Sequence, residues 1–310
     1  METESVVEGT APLAKSDPRE KRLVRVLADY WALTKPEVNF LIAIAAFASF
    51  CLARPMTLES FPYAMLVHTM LGTLLIASGT GALNQFIERR YDSQMRRTSR
   101  RPLVTGNISP AAGLWFGLFV SIGGAAYLAL AVNALSSLIA GLTLVTYLAI
   151  YTPLKRKMPM CTLIGALPGA APPLIGWAAA SGSLSVEAWI LYSMLFLWQF
   201  PHFMAIAWMY REDYDRAGYQ VLPPNKNRHR FVAFQSVIPA LLLVPISLIP
   251  ALLGDEGRIY LVGAGLLGLT FAHYATRLAL NRSNLIARQL LLASIIYLPS
   301  VFLLMLLDRK

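Results

Sequence analysis

The chain has 310 residues, of which 56% are hydrophobic and only 14% charged, with a net charge of +10. Soluble domains carry about 25% charged residues, so a chain with mean hydropathy +0.53 is excluded from water as its main solvent and points to a bilayer. The basic residues sit in short stretches between apolar runs, a pattern of membrane topology and not of a nucleic-acid surface.

In chain order, residues 1–24 are polar and of mixed charge, with no apolar stretch that would mark a secretory signal. They read as a disordered cytoplasmic tail. Glu2, Glu4 and Glu8 argue against a transit peptide. Residues 25–310 read as one membrane domain. A spanning helix needs about 20 mostly apolar residues. The apolar runs predict nine spans near 37–53, 63–87, 111–132, 134–152, 161–180, 187–210, 232–253, 258–277 and 286–307, the third and fourth joined by a tight turn at Asn133. The expected fold is therefore all-α, a nine-helix transmembrane bundle. With the N-terminus inside, all of the 27 basic residues except Arg54, Arg258, Arg309 and Lys310 fall on the cytoplasmic side. The positive-inside rule predicts that bias, and a wrong span count would scramble it. Cys51 and Cys161 each stand alone in an apolar run, as small buried hydrophobes do.

Beyond the first 37 positions, the acids on the predicted inner face are Glu88, Asp92, Glu212, Asp213 and Asp215. They occupy two places, the inner ends of the second and sixth spans. Asn84, Glu88 and Asp92 recur every four residues, which stacks them on one helix face about 6 Å apart in rise. Three oxygen-bearing side chains in a row suit a hard cation such as Mg²⁺, which removes the mutual repulsion of the carboxylates. The alternative is a solvated helix end with the acids paired to nearby arginines. Asn84 favours the functional reading, because polar groups at a membrane boundary are costly. The second place, Glu212-Asp213-Tyr214-Asp215, offers a second acidic cluster on the same face. Its alternative is a charged loop leaving the membrane. Arg96, Arg97, Arg100 and Arg101 follow the first cluster, and guanidinium forks match phosphate oxygens. Lys155 adds a further cation, although topology alone would also place it there. Metal-binding acids beside phosphate-binding cations are what a diphosphate leaving group requires.

These residues resemble the UbiA superfamily of intramembrane prenyltransferases. The segments NQFIERRYDSQMRRTSRRPLVTGNISP (84–110), YTPLKR (151–156), GALPGAAPPLIGWAAASG (165–182) and WQFPHFMAIAWMYREDYDRAGYQVLP (198–223) carry the resemblance, which with the span pattern covers about residues 25 to 307. Within the superfamily, RTSRRPL and WQFPHF are similar to the haem-farnesylating branch. The resemblance implies transfer of the farnesyl group of farnesyl diphosphate to a vinyl group of haem b, with addition of water, in the inner membrane of a bacterium. It implies Mg²⁺ as cofactor and a haem A synthase or terminal oxidase as downstream partner. Carried over by position, Asn84, Glu88 and Asp92 match the first metal motif, and Asp213 with Glu212 matches the second. Arg97, Arg101 and Lys155 match diphosphate contacts, and His202 matches a haem-binding position. Glu88 stands where many members have Asp, and the second motif reads EDYD, so metal contacts through Asp213 and Asp215 stay as alternatives.

Two other readings compete. A related prenyltransferase acting on an aromatic acceptor such as 4-hydroxybenzoate would share the metal site. A secondary transporter would place its ionisable groups near the bilayer midplane between repeats, whereas these lie at one boundary.

Overall fold

Backbone in hydrocarbon has no water to bond, so its N–H and C=O groups must pair within their own segment, as a helix allows. The computed structural model of the protein is helical accordingly. It describes residues 18–54, 61–224, 227–281 and 283–310, and among them the only β pairing is the isolated bridge Glu256–Arg309. The elements are α1 (Pro18–Leu33), α2 (Pro36–Leu52), α3 (Tyr63–Asp92), α4 (Pro102–Thr105), α5 (Pro110–Ala131), α6 (Ala134–Val145), α7 (Thr152–Leu154), α8 (Cys161–Gly169), α9 (Pro172–Ser181), α10 (Val186–Met209), α11 (Arg211–Arg216), α12 (Arg228–Leu253), α13 (Arg258–Asn281) and α14 (Asn284–Leu307). A π-helical turn, Thr146–Tyr151, joins α6 to α7 into one span, and α8 with α9 forms another, interrupted where Pro172 and Pro173 follow Ala170 and Ala171. Among the described residues, eight helices are long and apolar enough to cross a membrane. The pair Arg22–Leu33 and Pro36–Leu52, bent by 53°, makes a ninth if taken as one span. The nine-span expectation holds in that form.

Two boundaries differ from the expected ones. Residues 1–17 of the expected tail lie outside the described residues, and residues 18–24 form the first turns of α1. The low apolar content that made this stretch read as tail does not prevent a helix. The second span runs on to Asp92 and not 87, so Asn84, Glu88 and Asp92 share one uninterrupted helix. The turn at Asn133 is present, with its side chain capping α6 by accepting from Ser136 N at 2.8 Å.

The spans form a closed ring. Each packs on the next in the order α2, α3, α5, α6, α8–α9, α10, α12, α13, α14, and α14 returns to α2. The contacts α2–α9 and α10–α14 run across it. Small residues set the close approach of α3 and α5. A Cβ added at Gly124 would sit 2.7 Å from Ile76 N, so only glycine lets these backbones come so close. Cys51 and Cys161 are buried free thiols, as their apolar settings predict.

Candidate active site

At one end of the ring, α3 places Asn84, Glu88 and Asp92 on one face, all buried. Three other elements each bring a cation to that face. Lys155, just past α7, donates to Glu88 Oε1 at 2.9 Å and lies 4.7 Å from the Tyr151 ring centre. Burial by itself would depress the Lys155 ammonium. The Glu88 carboxylate, with the Tyr151 and Tyr147 hydroxyls behind it, overrides that and holds it well above the ordinary lysine range. Arg101 reaches back across the loop after α3 to Asp92 Oδ2 at 2.6 Å. Thr98 Oγ1 fastens that loop by donating to the Asp92 carbonyl at 2.9 Å.

Lys35 supplies the third cation, and the sequence reading assigned it only to topology. Its Nζ donates to Asn84 Oδ1 at 2.5 Å. Proline at position 36 disfavours the right-handed helical backbone for the residue before it. Lys35 adopts φ 54°, ψ 63°, the only positive φ outside glycine among the described residues. That strained backbone breaks α1 from α2 and turns the side chain to the acidic face. Strain of this kind persists only where the surroundings enforce it, and it concentrates at functional sites. The signal available in sequence was Thr34-Lys35-Pro36 at the mouth of the first span.

The loop that follows the first acidic cluster is tied to the second. The backbone N–H of Arg97 donates to Asp213 Oδ2 at 3.2 Å, joining segments 116 residues apart. Met95 packs beneath the same loop with Ala217 and Tyr219. Asp213 is buried, and Arg216 donates to its Oδ1 at 3.0 Å. The guanidinium of Arg97 itself is exposed over the Tyr210 ring, 5.0 Å from its centre.

The other acids of the second cluster point elsewhere. Asp215 takes a two-pronged contact from Arg228, at 3.0 and 2.8 Å. Glu212 has a side chain 78% exposed, with Arg211 at 3.8 Å, so it is not brought to the site. The six-residue α11 turns successive residues by about 100°, which buries Asp213 and leaves its neighbours outward. Tyr219, missed in the sequence, is buried with its hydroxyl unpartnered among the described residues; burial and the Glu88 carboxylate both push that hydroxyl up.

Among the described residues no three His, Cys, Asp or Glu side chains are gathered closely enough to form a ready metal cage. The donors nevertheless fit Mg²⁺. Asp92 Oδ1 is buried with no hydrogen-bond partner among the described residues, an expensive state that a cation would relieve. The oxygens of Asn84 and Glu88 are hard donors on the same face of α3, and Asp213 offers another from α11, each now held by a lysine or arginine. His202 lies apart from this cluster, buried within α10 against α14, with Nδ1 2.7 Å from Ser294 Oγ.

The profile of the UbiA prenyltransferase family matches residues 40–298. The chain belongs to that family. UbiA relatives named protoheme IX farnesyltransferase include those of Solibacter usitatus, 49% identical with 91% of this chain and 99% of the relative covered, and Koribacter versatilis, 45% identical with 97% and 98% covered. That of Salinibacter ruber is 41% identical, with 91% and 99% covered. Solved structures share the UbiA fold at low identity. A digeranylgeranylglyceryl phosphate synthase has a TM-score of 0.73 at 17% identity, covering 92% of this chain and 98% of its own. A UbiA homologue from Archaeoglobus fulgidus bound to DMAPP and Mg²⁺ has 0.62 at 16%, covering 89% and 99%.

Proposed function

We propose that the protein transfers the farnesyl group of farnesyl diphosphate to a vinyl group of haem b, giving haem O and diphosphate. One observation carries the reading. Lys35, Lys155, Arg101 and Arg216 converge on Asn84, Glu88, Asp92 and Asp213 at one end of a membrane bundle. Identity of 49% over nearly the whole length of a protoheme IX farnesyltransferase supports haem as acceptor.

In the reaction, the allylic C–O bond of farnesyl diphosphate breaks and diphosphate leaves. The terminal vinyl carbon bonds to the freed allylic carbon. Water then adds to the cation left on the porphyrin side, and a proton is released. Each carboxylate now faces a cation, so the site is balanced before substrate arrives. When farnesyl diphosphate enters, Lys35, Lys155 and Arg101 transfer their hydrogen bonds to its phosphate oxygens, and Arg97 is free on the surface to join them. The oxygens of Asn84, Glu88 and Asp92 freed in this way, together with Asp213, would hold Mg²⁺. Bound Mg²⁺ supplies neutralisation of the charge that grows on the departing diphosphate. The rings of Tyr147, Tyr151 and Tyr219 stand around Glu88 and Lys155, where they screen the allylic cation from water. His202 contacts the haem. Glu212, exposed as it is, has no part in the metal set.

The acid-rich end, with the N-terminus, lies on the cytoplasmic side of a bacterial inner membrane, a reading that the bias of the basic residues supports. Haem O is handed on to a haem A synthase or terminal oxidase.

The test is purified protein in lipid with haem b, farnesyl diphosphate and Mg²⁺. The expected product is a haem heavier by a farnesyl group plus water, lost when EDTA is added. Diphosphate release that needs 4-hydroxybenzoate and ignores haem would replace the acceptor. No release with any acceptor would replace the enzyme reading with transport.

A further inference from the structure

His202 sits seven residues before the end of α10, roughly 10 Å of helix in from the acid-rich end. A histidine buried in a membrane span must place both ring nitrogens, because an unpaired polar atom there is costly. One nitrogen is accounted for by Ser294 of α14. Ser294 Oγ lies 2.7 Å from His202 Nδ1 and 2.6 Å from the Leu291 carbonyl. A hydroxyl has one proton. The carbonyl of Leu291 can only accept, so that proton goes there, and towards His202 the hydroxyl can only accept. Nδ1 must then carry the ring hydrogen, and in neutral imidazole Nε2 is left with a lone pair.

Two more contacts hold this arrangement. The Trp198 ring stacks on His202, with centres 4.6 Å apart and planes 24° from parallel. Trp198 Nε1 donates to the backbone carbonyl of Ser294 at 2.9 Å. The same serine therefore anchors both the imidazole and the ring stacked on it. Ordinary core sealing explains Nδ1 but not Nε2, which has no hydrogen-bond partner among the described residues and is not among their fully buried unpartnered atoms. A fixed Nδ1–H with an open Nε2 is the form in which imidazole binds a metal, and the partner of the other nitrogen tunes that bond.

We propose that Ser294 is a positioning residue that fixes His202 in the Nδ1–H tautomer so that Nε2 ligates the iron of haem b. The proposal rests on the haem reading given above. It assigns the haem contact to one atom, Nε2, and the control of that atom to a residue 92 positions away.

The experiment uses the full chain in lipid with haem b and no farnesyl diphosphate, so that haem is not consumed. Haem affinity and the ferrous iron–histidine Raman stretch are compared for Ser294→Ala, Ser294→Thr, Ser294→Val and His202→Ala. Mg²⁺-dependent farnesyl diphosphate binding reports folding. Threonine and valine have nearly the same volume and differ in the hydroxyl. Ser294→Thr is expected to keep affinity and stretch. Ser294→Val and Ser294→Ala are expected to weaken haem binding about 10–100-fold and lower the stretch frequency, with farnesyl diphosphate binding unchanged. If Thr and Val variants behave alike, or the Ala variant keeps the parent stretch while His202→Ala loses it, the positioning role is overturned and the haem contact stands. If His202→Ala leaves affinity and spectrum unchanged, the contact at His202 falls, and the role of Ser294 with it. If no variant, nor the parent, binds haem while farnesyl diphosphate still binds, the haem reading itself is overturned.

Discussion

At the end of the bundle where the loop after α3 meets α11, every buried carboxylate among the described residues faces a cation: Glu88 faces Lys155, Asp92 faces Arg101 and Asp213 faces Arg216. At the opposite end, Glu256 is buried between α12 and α13 and its Oε2 has no partner among the described residues. Nearby, Asp308 caps α13 by accepting from Tyr260 N at 2.7 Å, and Arg309 donates to the Cys51 and Arg54 carbonyls at 3.0 and 2.9 Å. The first end keeps charge in pairs, which the proposed metal and diphosphate would separate without leaving any ion bare. The second spends its polar groups on tying the chain's last residues to the loops. Charge that can change partners belongs to chemistry, and charge fixed on backbone belongs to closure.

The largest effect that would break this comparison is expected at Asp92. Asp92→Ala should lower turnover about a thousandfold, the scale of losing a group that stabilises developing charge, while the protein stays folded and membrane-inserted. The check is product formation beside the circular dichroism spectrum. Substantial turnover in that variant would remove the first motif from the site. Lys35→Ala should follow at about a hundredfold, with the loss in farnesyl diphosphate affinity as well as rate, because Lys35 meets Asn84 and not the backbone.

The second acidic cluster sharpens the contrast within one face. Asp213→Ala should cost about a hundredfold in activity. Glu212→Ala and Asp215→Ala should stay within about twofold, since one is solvent-exposed and the other is engaged by Arg228. Activity assays on the three single variants decide it, and equal losses at Glu212 and Asp213 would mean that α11 turns on binding substrate.

These three residues also mark where the sequence stops being legible. The spans could be read because apolarity over 20 residues has one physical use. The i, i+4 spacing of Asn84, Glu88 and Asp92 could be read because helix geometry is fixed once the helix is granted. Which of three acids within four residues turns inward could not, since it depends on the phase of a helix of six residues whose packing is set by Met95 from another loop. Lys35 was hidden for a similar reason. A lysine before a span looks like topology until its left-handed backbone is seen to aim it at Asn84. The partnership of His202 and Ser294 joins separate spans and leaves no local pattern at all.

A smaller effect is expected in the packing that holds both ends together. Gly124→Ala puts a methyl against Ile76 N and Leu75, in the seam where α5 meets α3. Overpacking of this kind costs about 1–3 kcal/mol and should lower the midpoint of thermal unfolding in detergent. Gly123→Ala, one position along, has open space at its Cβ and should leave the midpoint unchanged. Equal midpoints for the two variants would show that the seam yields.

The smallest effect belongs to Glu256 and concerns pH. Burial is the main cause that lifts its carboxyl from 4.5 to about 7, with Asp255 and Asp308 adding to it and Arg309 opposing. The folded state therefore holds this proton more tightly than the unfolded chain does. Its contribution to stability is full below pH 4.5 and is lost as pH rises through about 7. Glu256→Gln imitates the protonated form and has no proton to lose. It should melt with the parent at pH 4.5 and above the parent at pH 8, narrowing the pH dependence of the midpoint. Activity at a single pH should be unaffected, because the proposed diphosphate site lies at the other end. A parent and variant with the same slope across this range would mean that Glu256 ionises freely, and that the unmatched carboxyl at the closed end is as well accommodated as the paired ones at the open end.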